Sequence, residues 1–240
     1  MNLFINLNNM LTRIRRPAPP APARPVAVIG DVHGCADLLE PLLDRIARDH
    51  PAFLPVFTGD LIDRGPDSQA VLRRVRALGA GAVVLRGNHE QMMLDFLDDP
   101  ERSGPAWLRH GGAETLASFG ISAQDPDAPA ALRAALADTE GWLRALPLWW
   151  LSGTVAVVHA GADPRLPLPA QDPRALLWGH PAFGRFPRRD GIWVAHGHVI
   201  VDAPRCARGV ISVDTGAWRT GRLGCALISG DGVQFLVQGS

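Results

Sequence analysis

The chain has 240 residues, of which 47% are hydrophobic and 20% are charged, and this length suits a single domain with a substantial core. Lys and Arg together number 24, as do Asp and Glu, so the formal net charge is zero, which argues against an overall field that would attract nucleic acid or an anionic membrane. The sequence has no Lys and no Tyr, which excludes Schiff-base chemistry on lysine and a tyrosine nucleophile.

The cysteines and the apolar segments indicate the compartment. Cys35, Cys206 and Cys225 are widely spaced and form no CxxC pair, so neither a disulfide framework nor a cysteine zinc site is expected. No apolar run reaches the roughly 20 residues that a membrane span requires, and the first residues lack the charge-then-apolar order of a secretory signal. We therefore expect a cytoplasmic protein with no stable membrane insertion. We also expect a monomer, and the zero net charge argues against nucleic acid as a partner.

In chain order, residues 1–25 are predicted to be a disordered or Pro/Ala-rich tail, in which 17–25 is extended and solvated. One folded domain is expected over residues 26–240. Its first part alternates apolar strands, at 26–29, 53–58 and 82–85, with helices of 3.6-residue periodicity, at 36–48, 67–78 and 90–97. This alternation predicts parallel strands joined by right-handed crossovers.

The rest of the chain is predicted to contain a helical insertion and a second set of strands. Residues from about 100 to 147 are rich in Ala, Leu and Trp with helical periodicity, and we place this insertion at the edge of the site. Strands are predicted at 154–158, 192–195, 209–213, 222–229 and 232–237. The shorter turns between them suggest an antiparallel second half, so the fold class is α/β with a helical insertion.

Glycines followed by polar side chains end each of the first three predicted strands. The segments are 30–34 (GDVHG), 59–65 (GDLIDRG) and 87–90 (GNHE), and two later strands lead into 158–161 (VHAG) and 195–198 (AHGH). The carboxyl ends of adjacent parallel strands converge on one crevice, and glycine lets the backbone turn sharply there. We therefore expect these segments to form one site.

Six side chains in these segments are candidate metal ligands: Asp31, His33, Asp60, Asn88, His159 and His198. Carboxylate, imidazole and amide oxygen suit Mn²⁺, Fe or Zn²⁺, and six ligands suit two ions that share a bridging carboxylate. Two-metal sites hold ions about 3.5–4 Å apart and activate a water for in-line attack on phosphorus. Each residue alone is better explained as a helix cap or a core histidine, but five motifs in succession favour a metal site.

These motifs, in this order, resemble those of the calcineurin-like metallophosphoesterases. The element Asp63-Arg64-Gly65 narrows the resemblance to the bacterial form of the phosphoprotein phosphatase (PPP) family of serine/threonine phosphatases, and the similarity extends from about Val26 to Val237. The resemblance implies a central β-sandwich flanked by helices, in an α/β/β/α arrangement. It also implies two divalent metal ions, for which Mn²⁺ is the first choice and Fe or Zn²⁺ are the alternatives.

The resemblance implies residue roles as well. The first three of the six candidate ligands would hold one ion and the last three the other, with Asp60 bridging both. His89 would be the general acid that protonates the leaving alkoxide, oriented by Asp63, and Arg64 would bind the phosphate oxygens. The chemistry agrees, because a phosphate dianion must be neutralised before attack and a guanidinium binds two phosphate oxygens at once.

Two positions depart from the family's pattern. Bacterial relatives usually carry an Arg, as a second phosphate clamp, where this chain has His180. Arg185 and a protonated His180 are the candidate substrate-binding replacements. His110 stands where an Asn usually precedes two glycines. These positions bear on substrate affinity and leaving-group preference rather than on metal binding.

The predicted activity is that of a metal-dependent phosphomonoesterase acting on phosphoserine and phosphothreonine in proteins, with phosphotyrosine as a further substrate, by direct attack of a metal-bridging hydroxide. Its partners are then phosphorylated proteins. The alternative is a symmetrical dinucleoside polyphosphate hydrolase, which uses near-identical metal motifs. A non-catalytic scaffold is disfavoured because every candidate ligand and His89 are present. A nuclease is disfavoured because Ile200, rather than a histidine, stands two residues after His198.

Overall fold

The computed structural model describes residues 18–239, which form two five-stranded sheets with helices on their outer faces. The strands are β1 (Val26–Ile29), β2 (Leu54–Phe57), β3 (Val83–Val84), β4 (Trp149–Ser152), β5 (Val155–Val158), β6 (Trp193–His196), β7 (Arg205–Ala207), β8 (Val210–Ser212), β9 (Arg222–Ser229) and β10 (Gly232–Gly239). The helices are α1 (Ala36–Asp49), α2 (Ser68–Arg76), α3 (Asn88–Asp98), α4 (Pro100–Trp107), α5 (Ala113–Ser118), α6 (Ala128–Leu136), α7 (Asp138–Ala145), α8 (Pro173–Trp178) and α9 (Ala217–Thr220).

The first sheet has the strand order β10-β9-β1-β2-β3. Strands β1, β2 and β3 are parallel, with Val28 opposite Val56 and Val56 opposite Val83, which confirms the predicted β-α-β-α-β unit. Strand β9 pairs antiparallel with both β1 and β10. The carboxyl ends of β1, β2 and β3 therefore lie at the same edge of this sheet.

The second sheet, with the order β4-β5-β6-β8-β7, differs from the predicted antiparallel arrangement. Its central strands β5, β6 and β8 are parallel, and only the edge strands β4 and β7 run antiparallel to their neighbours. The prediction was wrong for the central strands because segments 159–192 and 197–209 are long enough for the crossovers that parallel pairing requires. Strands β4 and β7 and helices α8 and α9 were not predicted.

Alternate residues of each strand face different layers of the core. Val28 of β1 packs with Val157 of β5 between the two sheets, whereas Ile29 belongs to the cluster formed with α1, α2 and α3. On the outer side of the second sheet, Val158 packs with Leu176 of α8. The layers are therefore helix, sheet, sheet and helix, which confirms the predicted α/β/β/α fold.

The helical insertion consists of α4, α5, α6 and α7, with an irregular turn at Leu108–Gly112 between α4 and α5. Trp107 is fully buried, its ring centroid lies 4.7 Å from that of Phe96, and Leu132 and Leu136 join the same core cluster as α1. The insertion thus enlarges the helical layer of the first sheet. Within residues 18–239, none of the helices has the length and apolar character that crossing a membrane requires.

The predicted tail is described only from residue 18, and the prediction for residues 1–17 lies outside the described residues. Residues 18–25 contain no helix or strand and most of them are exposed, but the segment also makes contacts with the second sheet. Pro20 is buried, Trp193 Nε1 donates to the Ala18 carbonyl at 2.6 Å, and Thr154 N donates to the Ala21 carbonyl at 3.0 Å. Since backbone carbonyls accept bonds even where the composition is Pro/Ala-rich, this segment is held against the second sheet.

Candidate metal centre

The predicted ligands gather where the strands of the two sheets end. Asp31, His33, Asp60, Asn88 and His159 are buried, and His198 is partly buried. The backbone that carries them is strained, because φ is positive at His33 (47°), Asp60 (50°), Asp63 (71°), Arg64 (68°) and His198 (61°). Such conformations are costly for residues other than glycine and concentrate at functional sites.

Two groups of ligand atoms share the carboxylate of Asp60. In the first, His33, Asp60 and His89 each offer an atom within 4.8 Å of the others, and in the second Asp60, His159 and His198 do the same. Asp60 Oδ2 lies 3.6 Å from His33 Nε2 and 3.4 Å from His159 Nε2. Asp60 is therefore placed where a carboxylate bridging two ions would stand.

The second group fits a cation because lone pairs converge in it. His159 Nδ1 donates to the Thr58 carbonyl at 3.1 Å, so Nε2 of the neutral ring carries a lone pair. Asn88 Oδ1 lies 2.7 Å from that nitrogen and 2.9 Å from His198 Nδ1. Acceptors this close repel one another unless a proton or a metal ion lies between them. Proteins commonly orient a histidine ligand by a hydrogen bond from the ring nitrogen that does not face the metal ion to a backbone carbonyl.

The first group is oriented in the same way. His33 Nδ1 donates to the Ile62 carbonyl at 2.7 Å, which leaves Nε2 facing Asp60. Burial raises the pKa of Asp60 well above its ordinary value, with the nearby Glu90 as the next cause. Burial also raises the pKa of Asp31, and Asp214 and Asp60 add to this effect. Packed carboxyl groups of this kind favour a divalent cation, so the donor set fits two such ions.

Asp31 lies beside these groups and is not a member of either. Its Oδ1 accepts from Thr58 Oγ1 at 3.0 Å and its Oδ2 from His198 N at 2.8 Å. Gly197 permits this approach, because a Cβ there would collide with Asp31 Oδ1. Asp31 thereby positions the loop that carries His198, and its role as a ligand of the first ion stays a prediction.

The predicted acid pair is formed. His89 Nδ1 donates to Asp63 Oδ2 at 2.7 Å, and the Asp63 carboxylate also accepts from Thr115 Oγ1 at 2.7 Å and from Trp107 Nε1 at 3.0 Å. Burial raises the pKa of Asp63, while the bond from Thr115 opposes that rise. Burial lowers the pKa of His89. Asp63 thus holds the ring by Nδ1 and leaves Nε2 facing the site.

Arg64 connects this pair to the helical insertion. Its Nη2 donates to His89 Nε2 at 3.0 Å, and its backbone N donates to the Gly111 carbonyl at 3.2 Å. At Gly111 φ is 108°, and a Cβ would lie 2.5 Å from the Arg64 nitrogen, so only glycine fits here. The guanidinium carbon lies 5.1 Å from the ring centroid of Trp218. The insertion therefore packs directly against the phosphate-binding candidate.

Glu90 organises the loops, although it was not among the residues predicted to form the site. Its buried carboxylate accepts from the backbone N–H groups of Asp60 (2.8 Å), Leu61 (2.7 Å) and Gly87 (2.8 Å), and from Ile62 at 3.4 Å. The signal available in the sequence was an acidic residue at the third position of α3, which is typical of a capping box. Trp107 and Thr115 were also missed, since neither gives a sequence signal for contact with Asp63.

The two predicted substitutes for a second phosphate clamp lie in the segment after α8. His180 Nε2 is 3.6 Å from Asp163 Oδ2, and its Nδ1 accepts from Ala182 N at 3.2 Å. Arg185 is exposed. Within residues 18–239 no hydrogen bond joins either side chain to Arg64 or His89. The structure thus brings the candidate metal ligands and the His89–Asp63 pair together, and leaves the roles of these residues, like the substrate-binding roles of His180 and Arg185, as predictions.

The donor chemistry identifies the class of protein. Carboxylate and imidazole groups that converge beside an arginine and a His–Asp pair are what a metal-dependent phosphoesterase requires, since bound divalent ions neutralise a phosphate before it is attacked. Residues 24–210 match the family of calcineurin-like phosphoesterases. The chain belongs to this family, and membership implies a dinuclear divalent metal site, for which the residues described above are the candidate ligands.

Individual relatives divide between two activities. The chain is 35% identical over 137 residues to the symmetrical bis(5'-nucleosyl)-tetraphosphatase of Dechloromonas aromatica (strain RCB), covering 57% of this chain and 44% of that protein. It is 45% identical over 89 residues to serine/threonine-protein phosphatase 1 of Salmonella typhimurium (strain LT2), covering 37% and 39%. The chain thus matches less than half the length of either relative.

Among solved structures, the chain resembles a provisionally assigned diadenosine tetraphosphatase. The TM-score is 0.63 and the identity 23%, over 91% of this chain and 96% of that one. At this level of identity the likeness supports the fold and carries no statement about the substrate.

Proposed function

We propose that this chain is a phosphomonoesterase that hydrolyses phosphoserine and phosphothreonine in proteins with two divalent ions, for which Mn²⁺ is the first choice. Phosphorylated proteins are then its partners, and phosphotyrosine is a further substrate. The observation that carries this proposal is the buried pair of His89 and Asp63, in which Nδ1 is bonded to the carboxylate at 2.7 Å and Nε2 lies 3.9 Å from Asp60 Oδ2.

The His89–Asp63 pair favours a phosphomonoester as the substrate because of the basicity of the leaving group. A serine or threonine alkoxide is strongly basic and leaves well only when it is protonated as the P–O bond breaks, which is the task of a positioned imidazole. The departing phosphate chain of a nucleotide is a weak base and needs no such help. An enzyme for phosphoanhydrides therefore gains little from an acid held this firmly in the core.

Arg64 supports the same proposal. In the described state its Nη2 donates to His89 Nε2 at 3.0 Å, so that nitrogen carries no proton. A phosphate group competes for the guanidinium, because charge-assisted bonds to an anion are stronger than a bond to a neutral ring. Arrival of the substrate then frees His89 Nε2 to take up a proton from the solvent, which it donates to the leaving oxygen as the P–O bond breaks.

The second candidate function is symmetrical hydrolysis of dinucleoside tetraphosphates. The names of the relatives favour it over the first, because the matches to bis(5'-nucleosyl)-tetraphosphatases are longer than the match to the protein phosphatase. The geometry of the acid pair favours the first. Only a comparison of substrates under identical conditions separates the two.

The test is turnover by the Mn²⁺-loaded protein of a phosphothreonine peptide, p-nitrophenyl phosphate and diadenosine tetraphosphate, with Asp60→Asn as the inactive blank. We expect the peptide to be preferred. We expect His89→Asn to lower kcat on the peptide by about 10²–10⁴-fold and to lower kcat on p-nitrophenyl phosphate much less, because nitrophenolate leaves without protonation.

The metal content of His89→Asn provides the control, since it stays at the wild-type value if His89 is the acid and falls if His89 is a ligand. Preference for the dinucleotide, with an equal loss on all three substrates in His89→Asn, would establish the second function instead.

A further inference from the structure

A cavity of about 440 Å³ opens beside Arg64, and the proposed reaction leaves it without a role. Its walls include Arg64, Arg109, His110, Glu114 and Trp218. They come from three separate parts of the chain: the loop after β2, the helical insertion at its irregular turn and the start of α5, and the short helix α9. The cavity is therefore created by the tertiary fold.

The cavity lies on the side of the proposed acid. Arg64 reaches His89 Nε2 at 3.0 Å, and the ring centroid of His110 lies 6.5 Å from that of His89. A general acid stands next to the atom that departs, because it must donate a proton to that atom. The cavity is consequently adjacent to the leaving group of the substrate, and Arg64, the phosphate-binding candidate, forms part of its wall.

Trp218 presents an aromatic face in this cavity. The residue is 39% exposed, so part of its ring is open to a ligand. The guanidinium carbon of Arg64 lies 5.1 Å from its ring centroid, a separation at which cation and ring attract each other. Exposed apolar surface that adjoins a catalytic site is a typical feature of ligand-binding surfaces.

The backbone under Trp218 is held in place. Helix α9 lies between Gly216 and Gly221, whose φ angles are 70° and 64°, and Asp214 Oδ1 accepts from Gly216 N at 2.7 Å. Thr220 Oγ1 donates to the Thr215 carbonyl at 2.8 Å. A ring carried by such a segment loses little freedom when a ligand stacks on it, which favours binding.

The charges in the cavity complement an anion. The lining includes two guanidinium groups, those of Arg64 and Arg109, and a single carboxylate, that of Glu114. His110 Nδ1 donates to the Ala106 carbonyl at 2.8 Å, which fixes the ring at the cavity wall. A ligand that is both flat and negatively charged fits this combination of an indole face and excess positive charge.

We propose that this cavity is the leaving-group subsite and that it selects leaving groups with an aromatic ring, which stacks on Trp218. The proposal rests on the proposed function only in that it takes His89 as the acid. The shared chemistry is a flat π face near the scissile phosphate. It is found in the nucleobase of a nucleotide and in an aromatic side chain next to a phosphorylated residue.

The test measures by calorimetry the equilibrium binding of four probes to the Mn²⁺-loaded wild type and to the Trp218→Ala and Trp218→Phe variants. The probes are inorganic phosphate and three phosphonates, in which a methylene group replaces the ester oxygen so that no hydrolysis occurs. The phosphonates are the analogues of adenosine 5'-monophosphate, of a phosphothreonine peptide with a neighbouring phenylalanine, and of the same peptide with alanine there. We expect Trp218→Ala to weaken binding of the ring-bearing probes by roughly tenfold, as loss of one stacking contact implies. Binding of inorganic phosphate and of the alanine peptide stays unchanged, and Trp218→Phe retains most of the affinity.

Leu151→Ala is the control, because Leu151 is 41% exposed but lies on the edge strand β4. An effect on the nucleotide alone identifies a nucleobase, and an effect on the phenylalanine peptide alone identifies an aromatic side chain. An equal loss for all four probes in Trp218→Ala, or no loss for any, overturns the proposal. Because binding is measured without turnover, this outcome is independent of which substrate the enzyme hydrolyses.

Discussion

The two halves of the metal centre are built differently. The loops after β2 and β3 are tied to each other, since the carboxylate of Glu90 accepts backbone N–H groups from residues 60, 61, 62 and 87. The loop after β1 joins them through His33 N, which donates to the Asp60 carbonyl at 2.9 Å. The loops after β5 and β6 contribute His159 and His198, whose ring nitrogens meet the rest of the site through Asn88 and Asp60. The first half is therefore held together by a network of hydrogen bonds around one carboxylate. The second half has fewer such bonds, from His198 N to Asp31 Oδ2 and from His159 Nδ1 to the Thr58 carbonyl, so it depends more on a bound cation.

This difference indicates which loops of the metal centre keep their conformation when no metal ion is bound. A buried carboxylate that accepts several N–H groups holds strained loops in place without a metal ion. The lone pair of His159 Nε2 faces the amide oxygen of Asn88 at 2.7 Å and repels it until a cation is present. Metal removal should consequently disturb the second half more than the first. Three predictions test this comparison, from the largest expected effect to the smallest.

The largest effect is expected for Glu90→Gln. A glutamine amide presents an NH₂ group toward backbone N–H groups and cannot accept from all of them, so the loop of Asp60 loses its support. We expect metal affinity to fall by about 10–100-fold, as for other groups that orient ligands, and the free energy of unfolding of the metal-free protein to fall as well. Metal titration and chemical denaturation measure the two effects.

Glu40→Gln is the matched control for that variant. Glu40 forms a surface ion pair with Arg74 at 2.7 Å and its side chain is 50% exposed, so its loss should change the free energy of unfolding by less than about 1 kcal/mol. If both variants behave alike, the loops of the first half do not depend on Glu90.

The second prediction concerns pH and His196, which lies in β6. This buried ring contacts Ser212 Oγ at 2.9 Å and packs against Phe183, and burial lowers its pKa from 6.5 to about 4. Above pH 6.5 neither state is protonated and the stability is fully present. As the pH falls from 6.5 to 4, the imidazole of His196 is protonated in the unfolded chain but stays neutral in the folded protein, so the free energy of unfolding decreases.

The difference between these two pKa values corresponds to a loss of about 3 kcal/mol in the free energy of unfolding. We expect the free energy of unfolding of His196→Gln to fall less steeply than that of wild type between pH 6.5 and 4. Denaturation curves of the metal-free proteins at several pH values measure the difference. Parallel pH dependence in the two proteins would contradict the assignment of His196 as a neutral core residue.

The smallest effects are expected for His180→Ala and Arg185→Ala. His180 is engaged by Asp163 and Ala182, and Arg185 is exposed, so neither is positioned by contacts with the acid pair. We expect KM to change by less than about threefold, because such a change leaves the interactions at the reacting centre in place. Steady-state kinetics on the phosphothreonine peptide measures it. A rise in KM of tenfold or more in either variant would restore its predicted role as a phosphate clamp.

Much of the first half could be predicted from the sequence. Parallel strands joined by helices place their carboxyl ends at one edge, so the motifs at 30–34, 59–65 and 87–90 by themselves imply a shared site. The prediction of antiparallel strands failed for the centre of the second sheet, because the segments 159–192 and 197–209 were interpreted as turns and not as crossover connections. Strands β5, β6 and β8 are parallel, because the direction of a strand depends on its partners and not on its own residues.

Chemistry carried by single side chains was therefore determined by the sequence alone. The candidate ligands, the acid pair and the arginine follow from residue type and from position after a strand. Contacts between distant segments were decided only by the tertiary structure. Trp107 and Thr115 bond to Asp63 across more than 40 positions of the chain, and Trp218 reaches Arg64 from the opposite end of the domain. No local pattern encodes such contacts, since they arise when separate elements pack against the same core.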